Sequence, residues 1–275
     1  MFSTTLRDLC RHWRSRSPKQ KLRRFGRITL LPLEKCKAKQ TLRDAYSYLI
    51  EQSDAYVILS EKHREKLYDM SGTNYRDRVH TIPNPNTFPT TLTPERIPCK
   101  SKTVLIVSRL DEPQKRVSLA LLAWEEVMRT GEFRDWTLKV LGEGDYLEDY
   151  RKLIARKQIP KVSFIGRTDP EPYYEDAALY LHTAKREGWG LTIAEAMQKG
   201  VVPVVMRSSP VFEELIVHTD SGILSKNGNV KSFAAAVAEL MRSRETRERM
   251  AVRAIETSHL RDIDRTVKKW SYVLK

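Results

Sequence analysis

Cysteine is scarce in this sequence: Cys10, Cys36 and Cys99 lie far apart and make no C-x-x-C pair, which argues against a disulfide framework and a cysteine zinc site. That usage fits a reducing compartment. Long apolar runs are missing as well. The longest are short pieces such as residues 201–206, far below the roughly 18 residues of a membrane-spanning helix. The expectation is a soluble protein, or at most a surface-bound one. The N-terminus is basic but lacks the apolar core and small-residue cleavage site of a secretory signal, which points to the cytoplasm.

Acidic residues are nearly absent from one end. Residues 1–43 carry 13 Lys and Arg against only Asp8 and Glu34, a net +11, so the other 232 residues hold +3 of the total +14. Three explanations compete: a nucleic-acid arm, attachment to anionic lipid head groups, or a solvated helical face. Aromatics interleaved with the cations are few, Trp13 and Phe25, and no nucleic-acid module is recognisable, so nucleic acid ranks last. Peripheral contact with an anionic membrane, at the inner face of the cell membrane, competes with the solvated face.

What is present is a core-forming chain with a regular order. The 275 residues are 40% hydrophobic, enough for one large or two small domains. From residue 102 onward, β-branched runs alternate with amphipathic stretches. The runs at 103–108, 137–141, 162–166, 179–182, 201–205 and 222–224 read as strands, and helices are predicted over 114–130, 146–157, 170–177 and 210–216. Three closing helices follow near 230–242, 244–257 and 261–274. This alternation predicts an α/β fold, a Rossmann-like doubly wound parallel sheet covered on both faces.

Before residue 102 the pattern is thinner. Residues 55–60 and 78–82 read as strands around a polar helix, and residues 83–98 then hold five prolines in sixteen positions, which reads as an interdomain linker. Two strands do not complete a doubly wound sheet. The expected organisation is a partial N-terminal domain (1–82), a linker (83–101), a nucleotide-binding domain (102–258) and a C-terminal helix (259–275) that packs toward the N-terminal part.

Ligands of open parallel sheets bind at the carboxyl ends of the strands. Arg109 directly follows the strand at 103–108, and Lys115 stands six residues later, where a helix begins. Together they suit a diphosphate held without metal: a planar fork and a point charge. Gly142 and Gly166 follow the next two strands, where glycine permits close approach of backbone to a ligand, although turn glycines are common there. After the strand at 179–182 comes Glu187-Gly188-Trp189-Gly190, then a helix start at Leu191 and Thr192 that offers an anion site, with Glu195 about a turn inside. The two carboxylates bracket that anion position, which suits a diphosphate with hydroxyl-bearing groups on both sides, a nucleotide sugar. Alone, the spacing equally fits a capping Glu187 and an ion pair from Glu195 to Lys199.

Taken together these segments resemble the C-terminal half of the GT-B-fold retaining glycosyltransferases of family 4, glycosyl transferases group 1. Six spaced pieces of the chain, within residues 50–275, carry the resemblance: IPNPNTF, VSRLDEPQKR, LKVLGEGD, VSFIGRT, TAKREGWGLTIAEAMQKGVVPVV and GIL. The resemblance implies that Arg109 and Lys115 hold the donor diphosphate, Glu187 contacts the donor sugar and Glu195 binds the ribose hydroxyls. Backbone amides around Gly190, Leu191 and Thr192 complete the phosphate cradle, with Gly188, Trp189, Gly142 and Gly166 lining the donor site. Ser108 and Arg116 stand where the family often has Gly, and Trp189 where it often has Phe. Family members begin with a whole Rossmann-like acceptor domain, of which only the last portion is expected here.

The implied activity is transfer of a sugar with retention, from a UDP-sugar, to a saccharide or lipid-linked saccharide acceptor in polysaccharide biosynthesis. No metal or other cofactor is expected. The string Asp262-Ile263-Asp264 reads as a solvated helix face, and His182 as a packing residue. The alternative is a donor-binding subunit without independent catalysis, with a separate chain supplying the N-terminal domain. A nucleotide-sugar epimerase matches the motifs less well.

Overall fold

A computed structural model describes residues 28–30 and 39–274. The basic segment therefore lies mostly outside the described residues, and the readings attached to it stay with the sequence. The described chain divides into two units: one comprises the residues up to Ile82 together with Val267 onward, the other Pro83–Thr266.

The first unit holds a parallel sheet of three strands in the order β1 (Ile28–Leu30), β2 (Ala55–Ile58), β3 (Val79–Thr81). Helices α1 (Lys39–Glu51) and α2 (Arg64–Ser71) connect them. Here the sequence reading needs a correction, because only two strands were expected and β1 is a third. It pairs Ile28 with Ala55 and Leu30 with Val57. Its few aliphatic residues sit among arginines and lysines, so the charge of the surrounding stretch hides it. Tyr46, Ile50, Tyr56, Ile58, Leu67, Tyr68 and Val79 form this unit's core. The Arg64 guanidinium ties α2 to β3, donating to the Val79 carbonyl at 2.8 Å and to Thr81 Oγ1 at 2.8 Å.

The second unit is a six-stranded, all-parallel sheet. Its strands are β4 (Thr103–Val107), β5 (Thr137–Leu141), β6 (Val162–Gly166), β7 (Leu179–His182), β8 (Val202–Arg207) and β9 (Ile223–Lys226). In space they run β6-β5-β4-β7-β8-β9. The chain winds outward from β4 in one direction and then returns to β7 on its other side. The order reverses between β4 and β7, and a crevice opens there beyond their carboxyl ends.

Helices cover both faces: α3 (Glu112–Lys115), α4 (Val117–Met128), α5 (Leu147–Lys157), α6 (Glu171–Asp176), α7 (Leu191–Gln198), α8 (Phe212–Leu215), α9 (Val230–Arg242) and α10 (Arg244–Ser258), with α11 (Ile263–Val273) closing the chain. The apolar stripe of α4 buries Val117, Leu121 and Trp124 against the sheet. Each such side chain stabilises the fold by roughly 1.5–3 kcal/mol. Trp124 also satisfies its indole N–H, which donates to the Pro160 carbonyl at 2.9 Å.

The single helix expected over 114–130 is two. Arg116 takes φ 51°, a left-handed conformation that ends α3 and starts α4. Glu112 holds the break by accepting from the Ser118 N–H at 3.2 Å, from the Ser118 hydroxyl, and from the Tyr150 hydroxyl at 2.8 Å. The proline-rich segment is packed, not loose: Phe88 and Ile97 are buried, and the Leu92 N–H donates to the Gln198 carbonyl at 3.0 Å.

Candidate active site

Arg109 leaves the carboxyl end of β4, and the stretch 183–190 leaves the carboxyl end of β7, so the two loops flank the crevice at the reversal of strand order. They are stitched together. The Thr183 hydroxyl lies 3.0 Å from the Lys115 carbonyl and 2.9 Å from that of Arg116, while the Lys185 N–H donates to the Gln114 carbonyl at 2.7 Å. Arg116 returns the contact, its guanidinium donating to the carbonyls of Thr183 at 2.8 Å and Ala184 at 3.1 Å and to Asn227 Oδ1 at 2.8 Å.

Within this frame the Lys115 ammonium bonds directly to Glu187 Oε1, and both side chains are only 15% exposed. A cation and a carboxylate so placed present one donor and one acceptor to the same small volume. Arg109 is different, with its side chain 67% exposed; it reaches Gln114 Oε1 at 3.5 Å and Asp111 at 3.8 Å. Its fork points into solvent at the rim, free to close on phosphate oxygens.

Gly190 takes φ 93° as the residue before α7, and its carbonyl accepts from the N–H groups of Ile193 and Ala194. The amides of Leu191 and Thr192 belong to the first turn, whose N–H groups have no acceptor within the helix. With the positive end of α7 they form a helix terminus of the kind that attracts negative charge. Gly188 has open space where a side chain would stand, as has Gly166. Trp189 is buried, and its indole N–H has no hydrogen-bond partner among the described residues.

Gly142 needs its glycine for a different reason than the one expected. A Cβ there would stand 1.8 Å from the Ser108 carbonyl oxygen, so the residue lets the β5 loop press against the β4 loop instead of baring backbone to a ligand. Gly142 follows β5 and Gly166 ends β6, and both strands lie on the far side of β4 from β7.

Glu195 sits on the buried face of α7 and is 9% exposed. Burial is the largest influence on its carboxyl and raises the pKa; hydrogen bonds from Thr87 and Tyr174 work in the opposite direction. Lys199 is not its partner. That ammonium is buried and pairs with Glu171 at 2.7 Å and Glu175 at 3.1 Å, which leaves the Glu195 carboxylate to other donors.

His182 lies beneath Glu187, 4% exposed, edge-on to Phe212 at 5.3 Å. Burial first, then the nearby charges of Lys115 and Arg116, push its pKa down to about 3. It is a neutral imidazole, with Nδ1 3.2 Å from the Tyr180 hydroxyl and Nε2 3.6 Å from Glu187 Oε1. Asp262, of the Asp-Ile-Asp string, accepts from Asn86 Nδ2 at 3.0 Å and lies 3.1 Å from His259. Sequence reasoning passed over Thr87, Arg116, Tyr174 and Tyr180. All but Arg116 sit in segments read only for their backbone role, and Arg116 was noted as a departure from glycine without the clamp its side chain forms.

Solved structures place this fold among the GT-B glycosyltransferases. The pneumococcal O-GlcNAc transferase GtfA in complex with UDP and GlcNAc matches with a TM-score of 0.73 at 19% identity, covering 83% of this chain and 47% of that one. HepE of Anabaena in complex with UDP and glucose matches with a TM-score of 0.73 at 19% identity, over 86% of this chain and 67% of that one. The family model for glycosyl transferases group 1 matches residues 89–257. The chain belongs to that family.

A glycosyltransferase of Haemophilus influenzae is 28% identical over 225 residues, 80% of this chain and 61% of its own. The poly(glycerol-phosphate) alpha-glucosyltransferase of Bacillus subtilis is 24% identical over 86% of this chain and 35% of its own length. The chain thus spans less than two thirds of either relative.

Proposed function

We propose that the chain binds a nucleotide sugar, probed first as a UDP-sugar, and transfers the sugar with retention to a saccharide or lipid-linked saccharide acceptor in polysaccharide biosynthesis. The observation that carries this reading is the convergence of Arg109, Lys115, Glu187 and the N-terminus of α7 on the crevice between β4 and β7. As the bond between the anomeric carbon and the diphosphate breaks, negative charge grows on the diphosphate. Lys115, Arg109 and the amides of Leu191 and Thr192 stabilise that charge more than the ground state. Glu187, fixed by Lys115, accepts from hydroxyls of the donor sugar, and Glu195 from those of the ribose. The phosphate charge is met by protein groups, so no metal is assigned to the step.

Two relatives by name, the poly(glycerol-phosphate) alpha-glucosyltransferase and the phosphatidyl-myo-inositol mannosyltransferase of Mycobacterium leprae, support a polymeric or lipid-linked acceptor. Contact of residues 1–43 with an anionic membrane face belongs to the same proposal, and their failure to bind anionic vesicles at low salt counts against it. The share of the relatives that the chain spans favours a second reading, a donor-binding part that works with a further domain or chain. Incubation of the purified chain with UDP-glucose and UDP-GlcNAc, each with a saccharide acceptor, separates the two. Release of UDP, with an α-linked product by NMR, supports the transferase; tight UDP binding with no turnover supports the donor-binding part, and neither binding nor turnover defeats both.

A further inference from the structure

Glu195 lies inside a helix and out of solvent, and a side chain from another helix reaches in to hold it. We propose that Tyr174 is a positioning residue that fixes the Glu195 carboxylate for the ribose hydroxyls of the nucleotide. This inference rests on the ribose role given to Glu195 above.

The Tyr174 hydroxyl, carried by α6, lies 3.3 Å from Glu195 Oε2 and 3.2 Å from the Thr192 carbonyl. Its proton is shared between the carboxylate and the first turn of the same helix, so one side chain locks the acid to the phosphate-binding terminus. Burial holds the phenol far above its ordinary range, and the hydroxyl therefore acts as a donor throughout the working pH range. The ring cannot turn away, because Phe88 meets it edge-on at 5.9 Å and Tyr180 packs at 6.0 Å.

Phe88, which packs on the Tyr174 ring, is itself pinned from both backbone ends by Gln198, the N–H donating to Oε1 at 3.1 Å and the carbonyl accepting from Nε2 at 2.8 Å. The donor therefore comes from a helix other than α7 and is held in place. An ionised carboxylate has about four acceptor positions, so one donor from the protein leaves room for ribose hydroxyls. Without this donor a buried carboxylate either takes up a proton or swings toward water, and in both cases loses its aim.

The test titrates the full chain and the variants Glu195→Gln and Tyr174→Phe with UDP and with its 2′,3′-dideoxyribose analogue. The parent is expected to prefer UDP, and Glu195→Gln to abolish that preference. Tyr174→Phe keeps the ring contacts and is expected to weaken UDP about tenfold while leaving the analogue unchanged. Thermal melts of each variant check that the fold is retained. Equal weakening of both nucleotides by Tyr174→Phe, or no weakening, overturns the positioning role. A parent or a Glu195→Gln chain that does not follow its expected pattern contradicts instead the ribose role of Glu195, so the two failures are told apart.

Discussion

Lys115 and Glu187 carry the most consequential prediction, because each is the other's ion partner and each has a separate task toward the donor in the function proposed above. Lys115→Ala removes a diphosphate cation and strands a carboxylate that is mostly out of water. The expected result is a loss of about 100-fold in kcat/KM and roughly 1–3 kcal/mol of stability, read from steady-state kinetics and urea unfolding. A variant within twofold of the parent in turnover contradicts the assignment. His182 yields a prediction about pH. With its folded pKa pushed down to about 3 from an unfolded value near 6.5, the unfolded chain binds a proton between those values that the folded chain does not. Its contribution is therefore fully present above about pH 6.5 and is lost as pH falls toward about 3. Urea unfolding of His182→Asn at pH 6.5 and pH 4 is expected to show a shallower loss than the parent; an equal slope contradicts a buried neutral imidazole. Helical spacing alone offered an ion pair from Glu195 to Lys199 as the alternative to a donor role. The structure separates them, because α6 brings Glu171 and Glu175 to Lys199 and Tyr174 to Glu195.

At the scale of elements, the loops that follow β4 and β5 fit only because one of them carries glycine. Gly142→Ala places a Cβ against the Ser108 carbonyl and takes φ 133°, so the cost is expected to exceed about 3 kcal/mol by denaturant midpoint. Gly188→Ala meets nothing within 4 Å, and its expected effect on stability is about 1 kcal/mol or less. Equal costs at the two positions contradict the packing described. The strands β5, β6 and β7 were legible in full, since each is a short run rich in β-branched, aliphatic or aromatic residues ended by a glycine or a polar turn. The break at Arg116 was not. A left-handed arginine carries no local signal, and what holds it there is a set of hydrogen bonds to Thr183, Ala184 and Asn227, far along the chain. Strand β1 escaped for the opposite reason: its pairing with β2 is real, but its three residues are outweighed by neighbouring charge.

At the scale of the whole molecule, the position of the site follows from the strand order alone. Six parallel strands in the order β6-β5-β4-β7-β8-β9 leave one reversal, and Arg109, Lys115 and Glu187 stand on the two loops that flank it. The alternation of strands and helices foretold the sheet, and the order of motifs along the chain foretold which loops would meet. The packing of the proline-rich segment was beyond reach, because prolines announce an irregular backbone and say nothing of what Phe88 touches. The central claim, that this crevice holds the diphosphate of a nucleotide sugar through protein groups, is tested most directly by calorimetric titration of UDP in the presence of a metal chelator. The parent is expected to bind, and Arg109→Ala/Lys115→Ala to lose about 100-fold in affinity; unchanged UDP affinity in that double variant contradicts the account.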